Sequence, residues 1–347
     1  MSEDSATAGS KRDPFAGSGR EPGPGAGKAP AGGSKYALFS IASNATLIIL
    51  KLIAGALTGS IAIISEAVHS FLDLLASFMT WVAVRFSEHP PDLDHPFGHG
   101  KAENLASLFE ALLIIAGGLY IVKEAIEGLM GDRHLPSLTA GILVMFLSSA
   151  VNLVVSAILF RKGKENGSPA LVADAWHLRT DVYTSAGIML ALLVIHVGKL
   201  IDPALDLGFI DSAAALVVSF FILKTGWTLA WEAITNLLDH SLGDDELRMI
   251  EDHIARFAPK ILGYRRLRTR RSGPFQIIVV DLFVDGGLSV WEAHELGNTV
   301  VLGIKKHYPH ADITFHLEPV TAGDTCEIDP EARAKAKAAE AAADPKA

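Results

Sequence analysis

Two pairs of histidine and aspartate, each four residues apart, are the side chains of this sequence whose spacing could do chemistry. His69 precedes Asp73, and His177 precedes Asp181, in two segments that are otherwise apolar. Residues four apart lie on one face of a helix, and burying an imidazole with a carboxylate in a membrane is costly unless a cation joins them. Either pair alone is equally consistent with hydrogen bonding between helices. The repetition favours a metal, because two nitrogens and two oxygens form a tetrahedral set that zinc accepts.

The composition indicates a membrane protein that would bind any metal through nitrogen and oxygen. Hydrophobic residues make up 50% of the 347 residues, and the mean hydropathy of +0.32 is too high for an ordinary soluble protein. The single cysteine, Cys326, excludes a disulfide within the chain and a thiolate metal cluster. The formal net charge of −9 argues against nucleic acid as a partner.

Six apolar stretches are each about long enough to cross a bilayer. Lys and Arg are concentrated in the N-terminal tail, in the even-numbered connections and after residue 240, so the positive-inside rule predicts that both termini are cytoplasmic. The predicted spans are Tyr36–Leu57, 61–87, Ala102–Leu129, Ser137–Phe160, Pro169–Val197 and Asp206–Leu238.

Residues 240–320 change character and predict a small soluble domain. Asp244–Ala258 has a helical apolar period, Leu267–Arg271 and Gln276–Val284 are typical of paired strands, and Ser289 with Glu292 forms a capping box that opens a second helix. A last strand over Asp312–Leu317 completes an α-β-β-α-β order, which predicts helices on one face of a sheet.

The predicted fold class is therefore a polytopic α-helical membrane protein with six transmembrane helices and a small α+β C-terminal cytoplasmic domain. Residues 1–34 are rich in Gly, Pro, Ser and Ala and predict a disordered tail. The other predicted units are the transmembrane domain at 35–239, the cytoplasmic domain at 240–320 and a flexible tail at 321–347.

The loop after the second span is dense in polar residues. Asp92, His95 and His99 supply one carboxylate and two imidazoles within eight positions. We expect a second, exchangeable cation site there, with water completing the coordination; the alternative is a solvated turn.

Within the spans, Asp174 could share the face of His177, either as a supporting group or as part of a water-filled mouth, whereas Glu110 is expected to serve helix packing.

A third group of polar residues lies in the soluble domain. Asp281 interrupts an apolar strand and requires a partner if it is buried, and His316 and Glu318 lie two apart, on one face of the last strand. With His294 on the last helix they could bind one or two cations. The alternative is a salt-bridge network with Arg266 or Arg268.

Several runs of the sequence together resemble the cation diffusion facilitator family. They are Thr58–Ser60 followed by His69–Asp73, then His95–Glu103, then Asp174–Ser185, and the resemblance covers about residues 36–320. It implies a homodimeric divalent-cation/proton antiporter with six spans and a metallochaperone-like cytoplasmic domain.

The resemblance also implies roles for individual residues. By this resemblance, Lys101 and Asp239 form an intersubunit charge interlock. Arg266 and Asp281 depart from the family pattern, since close relatives carry histidines there, so one cation, or an arginine in place of a metal, could occupy the cytoplasmic site. The implied metal sites are the transport site (His69, Asp73, His177, Asp181), the loop site (Asp92, His95, His99) and the cytoplasmic-domain site (Asp281, His294, His316, Glu318).

The functional prediction is proton-coupled efflux of a divalent cation by alternating access, without enzymatic activity. The relatives implied are bacterial zinc and iron efflux proteins of the inner membrane, and His69 resembles the zinc-preferring branch. Zinc is then the substrate and a structural or regulatory ligand, and protons are the counter-ions. The alternatives are Fe²⁺, Co²⁺, Cd²⁺ or Mn²⁺ as substrate, a membrane metal sensor without transport, or an intramembrane zinc hydrolase. A hydrolase would need an open coordination position, and the sequence contains no His-Glu-x-x-His.

Overall fold

Six long helices precede a small sheet domain in the computed structural model, which describes residues 32–58, 61–130, 139–201 and 208–320. The predicted tails therefore lie outside the described residues, except that the first helix begins at Gly33. The long helices are α1 (Gly33–Thr58), α2 (Ile61–Ser87), α3 (Lys101–Met130), α4 (Thr139–Asn166), α5 (Pro169–Ile201) and α6 (Gly208–Leu237).

Five of these helices, α1 to α4 and α6, are long and apolar enough over their described residues to cross a membrane. The remaining helix, α5, has 33 residues and is long enough to span. Asp174, Arg179 and Asp181 lower the hydropathy of its N-terminal half. The prediction of a polytopic helical membrane domain is confirmed.

The fourth helix extends further than its apolar stretch. The sequence predicted an end at Phe160, before the basic residues that follow, but α4 continues to Asn166. Glu165 explains the difference, because its carboxylate binds Arg161 at 2.8 Å and Lys162 at 2.6 Å within the last turns of the helix. Ion pairs with this spacing stabilise a helix, here in the polar segment that follows the predicted membrane span.

The long helices form two packing groups. In one, α1 packs on α2 and α4 packs on α5; in the other, α3 and α6 pack closely along each other. Glycines allow this second approach: a Cβ on Gly118 would lie 2.8 Å from Leu223, and a Cβ on Gly226 would lie 2.8 Å from Ile115. Small residues commonly let membrane helices approach in this way. Since α5 contacts both α3 and α6, it joins the two groups.

The C-terminal domain has the predicted α-β-β-α-β order, and its elements are α7 (Asp244–Ala255), β1 (Ile261–Ser272), β2 (Phe275–Val284), α8 (Val290–His307) and β3 (Asp312–Pro319). The central strand β2 pairs antiparallel with β1 and parallel with β3. The capping box is present: Ser289 Oγ accepts from Glu292 N–H, and Glu292 accepts from Ser289 N–H at 2.9 Å. Strand β1 begins at Ile261, six residues before the predicted start.

The β1–β2 turn docks directly onto the start of α3. Gly273 N–H donates to Asn104 Oδ1 at 2.6 Å, and Gly273 has a positive φ of 55°. A Cβ on Gly273 would lie only 2.3 Å from the carbonyl oxygen of Gly100, so this position requires glycine. The sheet domain is thereby attached to the start of a membrane helix by close contacts of its backbone.

Candidate metal transport site

The predicted site brings together side chains from α2 and α5 inside the helical domain. Asp73 Oδ1 lies 3.2 Å from His177 Nε2, and Asp181 joins them, so that one ligand atom from each residue lies within 4.8 Å of the other two. Asp73 is buried, and the side chain of His177 is 12% exposed. Three nitrogen and oxygen donors at this separation can converge on a single cation.

The fourth predicted ligand, His69, lies on α2 one helical turn before Asp73. Its side chain lies outside the part of the chain that the structure describes. Its role as a ligand therefore stays a prediction from the spacing.

Two further buried acids lie beside the three donors. Asp174 is fully buried and accepts a hydrogen bond from Ser77 Oγ at 3.0 Å, which agrees with a supporting role and not with a water-filled mouth. Glu110 on α3 accepts from Thr80 Oγ1 at 3.1 Å, and its Oε2 lies 3.6 Å from His177 Nδ1. The sequence interpretation of Glu110 as a helix-packing residue missed this contact, although an ionisable residue within a span was itself a signal of function.

The loop residues also converge. The two oxygens of Asp92 lie 3.3 Å from His95 Nδ1 and 3.3 Å from His99 Nε2, respectively. The backbone N–H of His95 donates to Asp92 at 2.6 Å, and this bond is the main cause of a lowered pKa of the Asp92 carboxyl. His99 is buried against Phe86, while Asp92 and His95 are exposed. The three residues could hold a cation at the surface with water as a further ligand.

The sheet domain brings together three of its four predicted ligands. Donor atoms of Asp281, His316 and Glu318 lie within 4.8 Å of one another, whereas His294 on α8 lies outside this group, with its ring 5.8 Å from that of Phe315. His294 and Phe315 are held together by the packing of α8 on the sheet.

Arginines already engage the two carboxylates of this trio. Arg266 Nε lies 2.5 Å from Asp281 Oδ2, and Arg266 Nη2 lies 3.3 Å from Glu318 Oε1. Arg265 binds Glu318 at 2.5 Å. The hydrogen bond to Asp281 is the main cause of a raised pKa of Arg266. The alternative salt-bridge network is therefore present with Arg266, and also with Arg265, which the sequence did not indicate.

A β-bulge explains how Arg266 reaches the carboxylates. The pairing of β1 with β2 shifts register between Arg265 and Arg268, and Arg266 has a φ of 52°. Bulges turn side chains away from the regular alternation of a strand. A non-glycine residue in the left-handed region is uncommon and costs energy, so the surrounding contacts must hold it.

Lys101 and Asp239 are in contact within the one chain. Lys101 Nζ lies 2.9 Å from Asp239 Oδ1, and Arg270 on β1 lies 2.9 Å from Asp239 Oδ2. Partial burial acts to raise the pKa of Asp239, but the hydrogen bonds from Lys101 and Arg270 outweigh it, so the pKa is lowered. This cluster joins the start of α3, the end of α6 and the sheet domain; a role between subunits stays a prediction.

Comparison with known proteins agrees with these features. Residues 37–238 match the cation efflux transmembrane domain, and residues 242–320 match the cation efflux protein cytoplasmic domain. An uncharacterized transporter, sll1263, of Synechocystis sp. is 34% identical over 287 residues, which are 82% of this chain and 90% of that protein.

Two cation-efflux pumps named FieF are similar over comparable lengths. The protein of Pectobacterium atrosepticum is 32% identical over 286 residues, covering 82% of this chain and 92% of the relative. The protein of Shewanella oneidensis is 30% identical over 288 residues, covering 83% and 94%, respectively.

Both domains and the length of these matches show that the chain belongs to the cation efflux family, the cation diffusion facilitators. It is a multi-pass membrane protein of a family of divalent metal efflux transporters rather than a member of an enzyme family. The predicted family is confirmed.

Proposed function

We propose that this protein exports Zn²⁺ in exchange for protons, using Asp73, His177 and Asp181 with His69 as a single transport site. The observation that carries the proposal is the convergence of Asp73, His177 and Asp181 inside the helical domain. Because one nitrogen and two oxygens already meet there, a second imidazole from His69 would complete the four-coordinate N/O cage that zinc accepts.

Ligand chemistry supports coupling to protons. An imidazole binds a metal ion only when its coordinating nitrogen is free of a proton, so Zn²⁺ and protons compete for His69 and His177. Zinc arriving from the cytoplasm would displace protons from the site. After α2 and α5 move so that the site opens to the other side of the membrane, protons from that side would displace zinc. Ionisable residues buried in a membrane domain are typical of ion and proton pathways.

Two donor groups outside the membrane are candidates for accessory cation sites. The loop site of Asp92, His95 and His99, in which Asp92 and His95 are exposed, would take up cations at the cytoplasmic surface. The trio Asp281, His316 and Glu318, with His294 only after rearrangement, would bind a structural or regulatory zinc ion. In the described geometry such an ion must compete with Arg266 for the carboxylates.

The proposed assembly is a homodimer in the bacterial inner membrane, with both termini in the cytoplasm. The distribution of basic residues and the match of residues 242–320 to a cytoplasmic domain both support this orientation. The bacterial membrane is proposed because the similar FieF proteins are bacterial. Lys101 and Asp239 would lie at the hinge between the domains, with an interlock role that includes the partner subunit.

The experiment that tests the function is flux into proteoliposomes under an imposed pH gradient, measured metal by metal with Zn²⁺, Fe²⁺, Co²⁺, Cd²⁺ and Mn²⁺. We expect Zn²⁺ uptake to require the gradient and to exceed the uptake of the other cations. Binding without flux would identify a sensor, and flux that ignores the gradient would exclude proton exchange.

A further inference from the structure

A carboxylate that the sequence did not connect with transport lies behind the histidine of the site. His177 has its Nε2 3.2 Å from Asp73 and its Nδ1 3.6 Å from Glu110 Oε2, so the two ring nitrogens are directed at different acids. Glu110 is 1% exposed and belongs to α3, which supplies none of the proposed ligands.

The other oxygen of Glu110 is anchored. Thr80 Oγ1, on α2, donates to Glu110 Oε1 at 3.1 Å, and Thr80 is fully buried. Glu110 Oε2 and His177 Nδ1 are both among the buried side-chain atoms that have no hydrogen-bond partner in the part of the chain that the structure describes. Buried polar atoms are nearly always satisfied, and a movement of about half an ångström would bring these two within hydrogen-bond distance.

We propose that Glu110 is a positioning residue for the transport site. Its carboxylate accepts a hydrogen bond from Nδ1–H of His177 and so directs the lone pair of His177 Nε2 at the cation. This role rests on the proposed function. The hydrogen bond made by one imidazole nitrogen decides which tautomer is present and how the ring is oriented for a metal on the other nitrogen.

Packing alone does not account for a carboxylate at this position. Burying an acid among membrane helices is costly, and an apolar side chain of similar size would fill the space between α2, α3 and α5 without that cost. Because α3 packs on α6, the contact ties that helix pair to the ligand-bearing helix α5.

The test is a Co²⁺ titration of the purified full-length protein, with the visible d–d bands of four-coordinate Co²⁺ as readout. Spectra of D73A are subtracted to remove the loop and sheet-domain contributions. The variants are E110L, E110Q and T80V, and E127Q is the control, because Glu127 is an exposed acid on the same helix.

We expect E110L to lose about 10- to 100-fold in Co²⁺ affinity, the usual effect of removing the partner of a ligating histidine. E110Q should lie between E110L and the parent, because its amide oxygen still accepts from Nδ1–H but carries no charge. T80V should show a smaller loss with a shifted spectrum, and E127Q should match the parent. Thermal unfolding without metal identifies any variant that is merely destabilised.

Parent-like affinity and spectra for E110L and E110Q would overturn the positioning role while leaving the transport site intact. Equal losses in E110L and E110Q, with no effect of T80V, would also contradict it, since orientation through a hydrogen bond predicts a graded series. Absence of the four-coordinate bands in the parent would overturn the proposed transport site and this role with it.

Discussion

Asp73 on α2 and His177 on α5 meet at 3.2 Å between Oδ1 and Nε2, although 104 positions separate them in the chain. Each residue comes from a separate His-x-x-x-Asp pair, so this contact joins the two halves of the predicted site. The contact is buried within the helical domain. Burying an acid and an imidazole there costs free energy unless the two form an ion pair or bind a cation together.

Replacing either acid should abolish transport. In D73A or D181A, the cage loses an oxygen donor and half of its ligand charge, so zinc uptake driven by a pH gradient should fall to the level of empty liposomes. E127A is the matched control, because Glu127 is an acid of α3 whose side chain is 65% exposed. Parent-like flux in D73A and D181A, with gel filtration showing intact protein, would contradict the assignment.

The identity of the residue at position 69 should influence metal selectivity. H69D exchanges a nitrogen donor for an oxygen donor, so the site loses part of the N/O balance that suits zinc. We expect the ratio of Cd²⁺ to Zn²⁺ flux to rise severalfold in H69D. An unchanged ratio in the same proteoliposome assay would remove His69 from the selectivity argument.

The ion-pair cluster around Asp239 should stabilise the junction between the two domains. D239N removes the negative charge and one of the two oxygens that bind Lys101 and Arg270, and partly exposed pairs of this kind contribute about 0 to 1 kcal/mol each. We expect a small decrease in the thermal midpoint of the detergent-solubilised protein at pH 7.

The same cluster gives a pH dependence with a defined sign. Because the folded-state pKa of Asp239 is lowered, its stabilisation is fully present above about 4, the ordinary pKa of an aspartate, and is lost as pH falls through the lower folded-state value. The midpoint difference between parent and D239N should therefore be equal at pH 7 and pH 6 and should shrink at more acidic pH. A difference that grows on acidification would contradict the ion-pair account.

Arg266 should compete with cations for the sheet-domain trio. R266A frees Asp281 and one oxygen of Glu318, so zinc affinity at this site should rise by about tenfold or more, the order expected for removing a charged hydrogen-bond partner. Isothermal titration of full-length protein in a background that carries both D73A and D92A measures this site without the transport site and the loop site. R268A is the control, since Arg268 is exposed on the same strand. Equal affinity in R266A and R268A would show that the guanidinium does not compete.

The sequence predicted most of what depends on local periodicity. The helices that carry Asp73, His177 and Asp181, the other long apolar helices and the capping box at Ser289 follow from local patterns, and the structure has each of them. The start of β1 was less accurate, because Ile261–Arg266 lacks a clear alternation before the bulge.

What the sequence did not predict depends on packing between distant elements. Glu110 contacts His177 only because α3 lies beside α5, and no spacing within α3 encodes that distance. Arg266 reaches Asp281 through a bulge and a positive φ, neither of which its residue type favours. His294 was grouped with the sheet carboxylates because it lies on the adjacent helix, but its ring is directed at Phe315.

The most direct test of the account is the anomalous-difference density of zinc-loaded protein measured at the zinc absorption edge. We predict one peak between α2 and α5, about 2.0–2.2 Å from donor atoms of His69, Asp73, His177 and Asp181. A helical domain that holds no such peak, or that holds zinc with Asp73 and His177 out of bonding range, would contradict the account.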